Sequence, residues 1–385
     1  MLYDYIEKIR PHFNEGGKLH ALRSVFEGFE TFLFVPSQTS KSGVSIHDAI
    51  DSKRIMSFVV IALMPALLFG MYNIGYQNYT AAGVQASWLT MFFYGFMAML
   101  PKIIVSYAVG LGIEFISAQI KHEEIQEGYL VTGLLIPMII PVGCPLWMLA
   151  LAVAFSVIFA KEVFGGTGRN IFNPALVARA FLFFAYPAKM SGDKVWLAKD
   201  SIFGLGNNLP DTLTMATPLG EAAAGNTMNY DFYQYALGTI PGSIGETSVI
   251  AIALGALLLL ITGIASWKTM LSVFVGGAVT AGLFNILGPD TTIAQMPWYD
   301  HLVLGGFCFG AVFMATDPVT SARTEPGKFI YGALIGILAI IIRVLNPGYP
   351  EGMMLAILFM NTFAPAIDYC FVQSNINKRA KRAKK

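Results

Sequence analysis

Long apolar runs separated by short polar breaks fill most of this chain, and only its first 54 residues depart from that pattern. There, Leu19, Leu22, Val25, Phe26, Phe29, Phe32 and Leu33 recur at helical spacing, with Lys18, Arg23, Glu27 and Glu30 between them. That spacing predicts an amphipathic helix over 18–34, lying on a membrane surface or on a partner and closed by Pro36. Beyond residue 54 the apolar runs approach the ~20 residues that a helix needs to cross a bilayer. Spans are predicted near 55–75, 101–120, 128–143, 146–164, 172–188, 247–266, 269–288, 301–316, 328–345 and 351–372. Residues 87–100 are apolar too, but Pro101-Lys102 follows them, which predicts an interfacial or re-entrant piece.

Five units follow from this pattern: an extension (1–54), a first five-helix half (55–188), a long loop (189–246), a second five-helix half (247–372) and a basic tail (373–385). The fold class is an all-α polytopic membrane protein of about ten transmembrane helices. An odd number of spans per half means that related halves have inverted topology. Both halves contain a glycine- and proline-rich break, Gly165–Pro174 in the first and Asn346–Glu351 in the second. Two inverted five-helix repeats are therefore expected, against the alternative of unrelated helix breaks.

Composition agrees: 55% of residues are hydrophobic and 13% charged, whereas soluble domains carry roughly 25% charge. A disordered chain is excluded, and a water-soluble enzyme is disfavoured. The distribution of charge says more than its amount. With an inner N-terminus, nineteen of the 25 Lys and Arg residues fall on the inner side, including Lys161, Arg169 and the tail. Only Lys102, Lys189, Lys194 and Lys199 fall outside, and Arg179 and Arg343 lie within spans. This bias predicts cytoplasmic N- and C-termini and an external 189–246 loop. Cys144, Cys308 and Cys370 are far apart and form no Cys-x-x-Cys pair, so they read as small apolar fillers. No metal site is expected.

The external loop contains Asp211-Thr212-Leu213-Thr214-Met215-Ala216-Thr217-Pro218. Pro218 biases Thr217 away from helix, leaving its hydroxyl on extended backbone. In Gly165–Pro174 the glycines and Arg169 lack the Lys-Ser/Thr of a phosphate-binding loop and follow no strand. Asn170 and Asn173 offer amide groups ahead of a proline-started helix. Capping by Asn173 and ligand contact are both open readings. Arg179 needs a polar partner or a cavity. Glu114, Asp317 and Asp368 are acids near the inner ends of spans, and oxygen ligands of this kind suit a hard cation such as Na⁺. Asp317 and Asp368 could equally face water. Ser243-x-x-Glu246 fits a capping box opening the sixth span.

Asp211-x-x-Thr214-x-Ala216-Thr217 resembles the flavinylation motif on which a transferase attaches FMN through a phosphoester, with Met215 in place of the more usual glycine. The segments 161–187, 240–246, 301–319 and 344–368 resemble the B subunits of sodium-translocating NADH:quinone oxidoreductases, and the likeness covers nearly the whole chain. The related D subunit of the Rnf complex, part of an ion-translocating ferredoxin:NAD oxidoreductase, shares the motif but typically lacks so long an extension. A third reading is a non-redox, urea-transporter-like channel or carrier.

The resemblance implies covalent FMN on Thr217, with Asp211, Thr214 and Ala216 as its motif. It implies noncovalent riboflavin at Asn170 and Asn173, and a quinone region near Gly110, where Leu111 replaces the second of two adjacent glycines. Electrons would pass from FMN through riboflavin to ubiquinone or menaquinone, driving Na⁺ outward along a path that includes Glu114, Asp317 and Asp368. The implied partners are a second covalent-FMN subunit, an NADH-oxidising iron–sulfur flavoprotein, small membrane subunits and lipid, with no nucleic acid. The implied location is the bacterial inner membrane.

Overall fold

A computed structural model describes residues 2–13, 19, 23, 26, 30, 34, 52–121, 128–226, 230–346 and 348–383. The amphipathic helix expected over 18–34 lies outside the described residues apart from isolated positions. Ahead of it stands a short helix, α1 (Leu2–Ile9).

The described residues are helical, with one isolated bridge between Ile202 and Leu205 and no named strand. The first half comprises α2 (Ser52–Ala81), α3 (Trp88–Lys121), α4 (Tyr129–Met138), α5 (Leu146–Ser156) and α6 (Pro174–Ala185). The loop carries short helices, among them α7 (Pro218–Ala223), a turn and a half long. The second half comprises α8 (Val249–Ile261), α9 (Trp267–Leu287), α10 (Phe307–Phe309), α11 (Glu325–Leu345) and α12 (Met353–Ala383). Among the described residues six helices are long and apolar enough to cross a membrane. The chain is an all-α polytopic membrane protein.

Three expectations change here. Residues 87–100 are no separate re-entrant piece: α3 runs unbroken for 34 residues through Pro101, about 51 Å at 1.5 Å per residue. Lys102 is therefore no loop residue. It is buried, and its Nζ donates to the Cys144 carbonyl at 2.9 Å. The span 301–316 is not one helix, since Leu304–Gly306 separates the turn Trp298–Val303 from α10 and a π-helical turn, Gly310–Met314.

Several spans are shorter than a bilayer. The ten residues of α4 rise only about 15 Å. Irregular backbone then continues at depth, which lipid tolerates only where protein covers it. The cover is visible: Gly245 N–H donates to the Met138 carbonyl at 2.7 Å, and Gly143 N–H to the Val195 carbonyl at 2.9 Å. The α2–α3 pair packs backbone to backbone. A Cβ at Gly75 would strike the Met91 carbonyl, and one at Gly95 the Met71 carbonyl, which is how small residues bring membrane helices together.

Both halves deform one helix into a π-turn, Val157–Lys161 after α5 and Gly310–Met314 after α10. Such turns shift the side chains beyond them by one position and are frequent at functional sites.

Candidate functional site

The loop around Thr217 is fixed by its own backbone. Met215 N–H donates to the Asp193 carbonyl at 2.9 Å. Pro218 starts α7 and holds Thr217 at φ −71°, ψ 153°, the extended geometry expected before proline. The Thr217 hydroxyl oxygen accepts from Gly220 N–H at 3.1 Å, so it also caps α7. Its side chain remains half-exposed, as do those of Thr214 and Ala216. Asp211 is exposed, and its carbonyl takes a bond from Lys199 Nζ at 3.0 Å. The four motif residues thus form one surface strip. Nearby in the loop, burial pushes the Tyr235 phenol up to about 12.

Beside Thr217 lies an ionic cluster that motif reading missed. Arg179, buried on α6, donates to Glu246 Oε1 at 2.6 Å and also pairs with Glu351. The capping box expected of Ser243 and Glu246 does not form. Instead α8 starts later, at Val249, where Ser248 Oγ accepts from Ala251 N–H at 3.3 Å. A buried arginine attracts a carboxylate more strongly than an orphan helix N–H does, so Glu246 turns to Arg179. Arg343, the other intraspan arginine, donates to the carbonyls of His301, Leu304 and Pro350.

The second site is a cavity of ≈ 100 Å³ whose lining includes Asn170, Asn173, Asp317 and Lys161. Asn173 does two jobs. Its Oδ1 caps α6 by accepting from Ala175 N–H at 3.0 Å, and its Nδ2 donates to Asp317 Oδ2 at 3.3 Å. Asn170 Nδ2 donates to the Phe172 carbonyl at 2.9 Å. Asp317 further accepts from Thr320 Oγ1 at 2.9 Å and Val319 N–H at 3.1 Å. The two π-turns contribute Lys161 and Phe313 to the same wall. The cavity therefore has a polar edge of amides, a carboxylate and an ammonium, facing apolar walls such as Val59, Leu135 and Leu259. Apolar walls with a few convergent polar groups are what small-molecule sites commonly offer.

The remaining acids take separate positions. Glu114 is buried and paired with Lys161, which carries its influence to the cavity wall. Asp368 is half-buried and accepts from Arg323 N–H at 2.8 Å and Thr324 N–H at 2.9 Å, fastening the turn that precedes α11. Asp317 therefore lines the cavity, Glu114 reaches it only through Lys161, and Asp368 does not line it. Gly110 lies against the Tyr129 ring, where a Cβ would overlap the phenol. Tyr129 in turn donates to the Ser106 carbonyl at 2.9 Å.

Comparison with known proteins identifies the family. A profile of the NQR2, RnfD, RnfE family matches residues 39–377. The chain is 46% identical to the B subunit of the Na(+)-translocating NADH-quinone reductase of Chromohalobacter salexigens, over 98% of this chain and 95% of that one. It is 45% identical to the counterpart of the same name from Pseudoalteromonas atlantica, over 98% of both chains. With that from Neisseria meningitidis serogroup A the identity is 42%, over 99% of both. Likeness this high over the full length, together with the profile match across both halves, places the chain in the NQR2, RnfD, RnfE family.

Proposed function

We propose that this chain is the membrane subunit of a Na⁺-pumping NADH:quinone oxidoreductase. In that role it carries electrons from FMN on Thr217, through riboflavin at Asn170 and Asn173, to quinone, coupled to Na⁺ export. The observation that carries this reading is the Thr217 strip: an extended, half-exposed threonine before Pro218, within Asp-x-x-Thr-x-Ala-Thr, on a chain whose relatives bear that enzyme's name. A hydroxyl so placed can be esterified without unfolding α7, because its oxygen still faces Gly220 N–H.

The flavins, when bound, supply the one- and two-electron chemistry that side chains lack. The residues of the chain bind and orient. The Asn170 and Asn173 amides offer hydrogen bonds at the cavity edge. Lys161 brings a positive charge to the same wall, and its pairing with Glu114 balances that charge. Glu114, Asp317 and Asp368 are the proposed carboxylates of the Na⁺ path, and Gly110 the proposed quinone contact. The charge bias supports inner termini in a bacterial inner membrane, and the two broken halves support an inverted repeat. Partner subunits supply NADH oxidation and the preceding flavin.

Mass analysis of the proteolytic peptide containing Thr217 tests the attachment. The expected result is the added mass of FMN, absent in Thr217→Ala. In-gel flavin fluorescence surviving in Thr217→Ala would remove Thr217 as the acceptor. An Rnf-type subunit shares the attachment motif. It is separated by its electron donor, ferredoxin rather than NADH, in membranes containing the assembled complex.

A further inference from the structure

Next to Thr217, a second and smaller cavity of ≈ 20 Å³ is lined by Ser243, Glu246, Thr247 and Glu351. That volume holds one water or one bare alkali cation. The polar side chains of its wall offer oxygens only. Arg179 engages Glu246 through Oε1 and Glu351 through Oε2, one oxygen of each carboxylate. Arg179 thus offsets one of the two carboxylates directly. Arg343, whose guanidinium lies beside Gly305 of the lining, gives its hydrogen bonds to three backbone carbonyls and forms no ion pair among the described residues. A second observation points into the same space. Thr247, only 4% exposed, has a hydroxyl with no hydrogen-bond partner among the described residues.

We propose that this cavity is a binding site for a single Na⁺-sized monovalent cation, held by Glu246, Glu351 and the hydroxyls of Thr247 and Ser243. An all-oxygen wall selects a hard cation. Glu351 provides access, since its side chain is 15% exposed while that of Glu246 is 3%. The site is distinct from the Asn173–Asp317 cavity, and Thr217 is part of its lining. Arg179 belongs to the first half, while Glu246 and Glu351 flank segments of the second. An ion here therefore ties the 243–247 segment to Glu351, which Arg179 already bridges.

Equilibrium binding of radioactive sodium to the purified, assembled complex tests the site. The expected result is that Glu351→Gln binds one Na⁺ fewer per copy of this chain than the wild type. Thr247→Val should bind that same ion about tenfold more weakly, one decade being the size of a single lost ligand. Asp317→Asn should keep it. If Glu351→Gln fails to assemble, Thr247→Val decides, because the hydroxyl it removes has no other partner among the described residues. Equal stoichiometry and affinity in wild type and Thr247→Val would overturn the proposal and leave a single water in the cavity. Covalent flavin, read in the same samples by fluorescence, reports the Thr217 assignment separately.

Discussion

Arg179 and Glu246 meet 2.6 Å apart at the junction between the two halves, sixty-seven residues apart in sequence. Both are almost fully buried. Removing one partner strands the other charge away from water. Arg179→Gln should destabilise the folded chain by about 3–5 kcal/mol. A thermal melt in detergent measures it, and a shift indistinguishable from that of a surface arginine would show that the pair contributes nothing. Arg179→Lys should fall between, since an ammonium cannot serve two carboxylates with a planar fork.

The buried Lys161–Glu114 pair makes a different prediction. Glu114→Gln leaves the Lys161 ammonium without that carboxylate at the cavity wall. The single variant should lose stability and also weaken the stimulation of quinone reduction by sodium. Glu114→Gln combined with Lys161→Met should recover much of the stability, with a coupling of about 0.5–3 kcal/mol between the sites. Additive losses in the double variant would show that the two side chains do not act as a pair.

Asn173 and Asn170 separate capping from ligand binding. Asn173→Ala should cost about 1 kcal/mol through the lost cap of α6. Asn173→Ser keeps an N-cap oxygen and should fold normally, yet retain less noncovalent flavin after purification. Asn170 caps no helix and makes one hydrogen bond to the Phe172 carbonyl, so Asn170→Ala should lower flavin retention with a stability cost of about 1 kcal/mol. Full riboflavin content in Asn170→Ala and Asn173→Ser would move the site elsewhere.

Gly110 is tested by size. Gly110→Ala drives a methyl group into the Tyr129 ring, an overpacking of about 1–3 kcal/mol. Trimming the ring in Gly110→Ala/Tyr129→Leu should restore the melting temperature. If quinone affinity falls in the single variant and stays low in the repacked one, Gly110 contacts quinone. If it returns, the glycine serves packing.

Asp368 fastens the start of α11. Asp368→Ala removes acceptors from Arg323 N–H and Thr324 N–H, and amide hydrogen exchange at 320–326 should speed up. Unchanged exchange there would mean that the turn holds without it.

Much of this architecture is legible in the sequence, and the failures share a cause. Spans near 55–75 and 328–345 can be placed because lipid demands an apolar surface and the requirement is local. Extended backbone at Thr217 follows from Pro218, a steric effect between neighbours. Lys102 and Glu246 are misplaced for the opposite reason. Proline usually marks a break, but at Pro101 neighbouring helices carry α3 straight through. Ser243-x-x-Glu246 has capping-box spacing, but Arg179 from another segment competes for the carboxylate.

By itself, then, the sequence determined that this is an all-helical membrane chain, that its loop exposes Thr217 on extended backbone, and which acids and amides were candidates. Those properties depend on composition, on hydropathy over one helix length and on contacts between adjacent residues. Only the tertiary structure decided which of the candidates share a site. It joined Asn173 to Asp317, Lys161 to Glu114, and Arg179 to both Glu246 and Glu351. Each partner is chosen by the cost of leaving a charge or an amide unpaired away from water. That cost is settled by whatever the fold brings near, across distances along the chain that local pattern does not span.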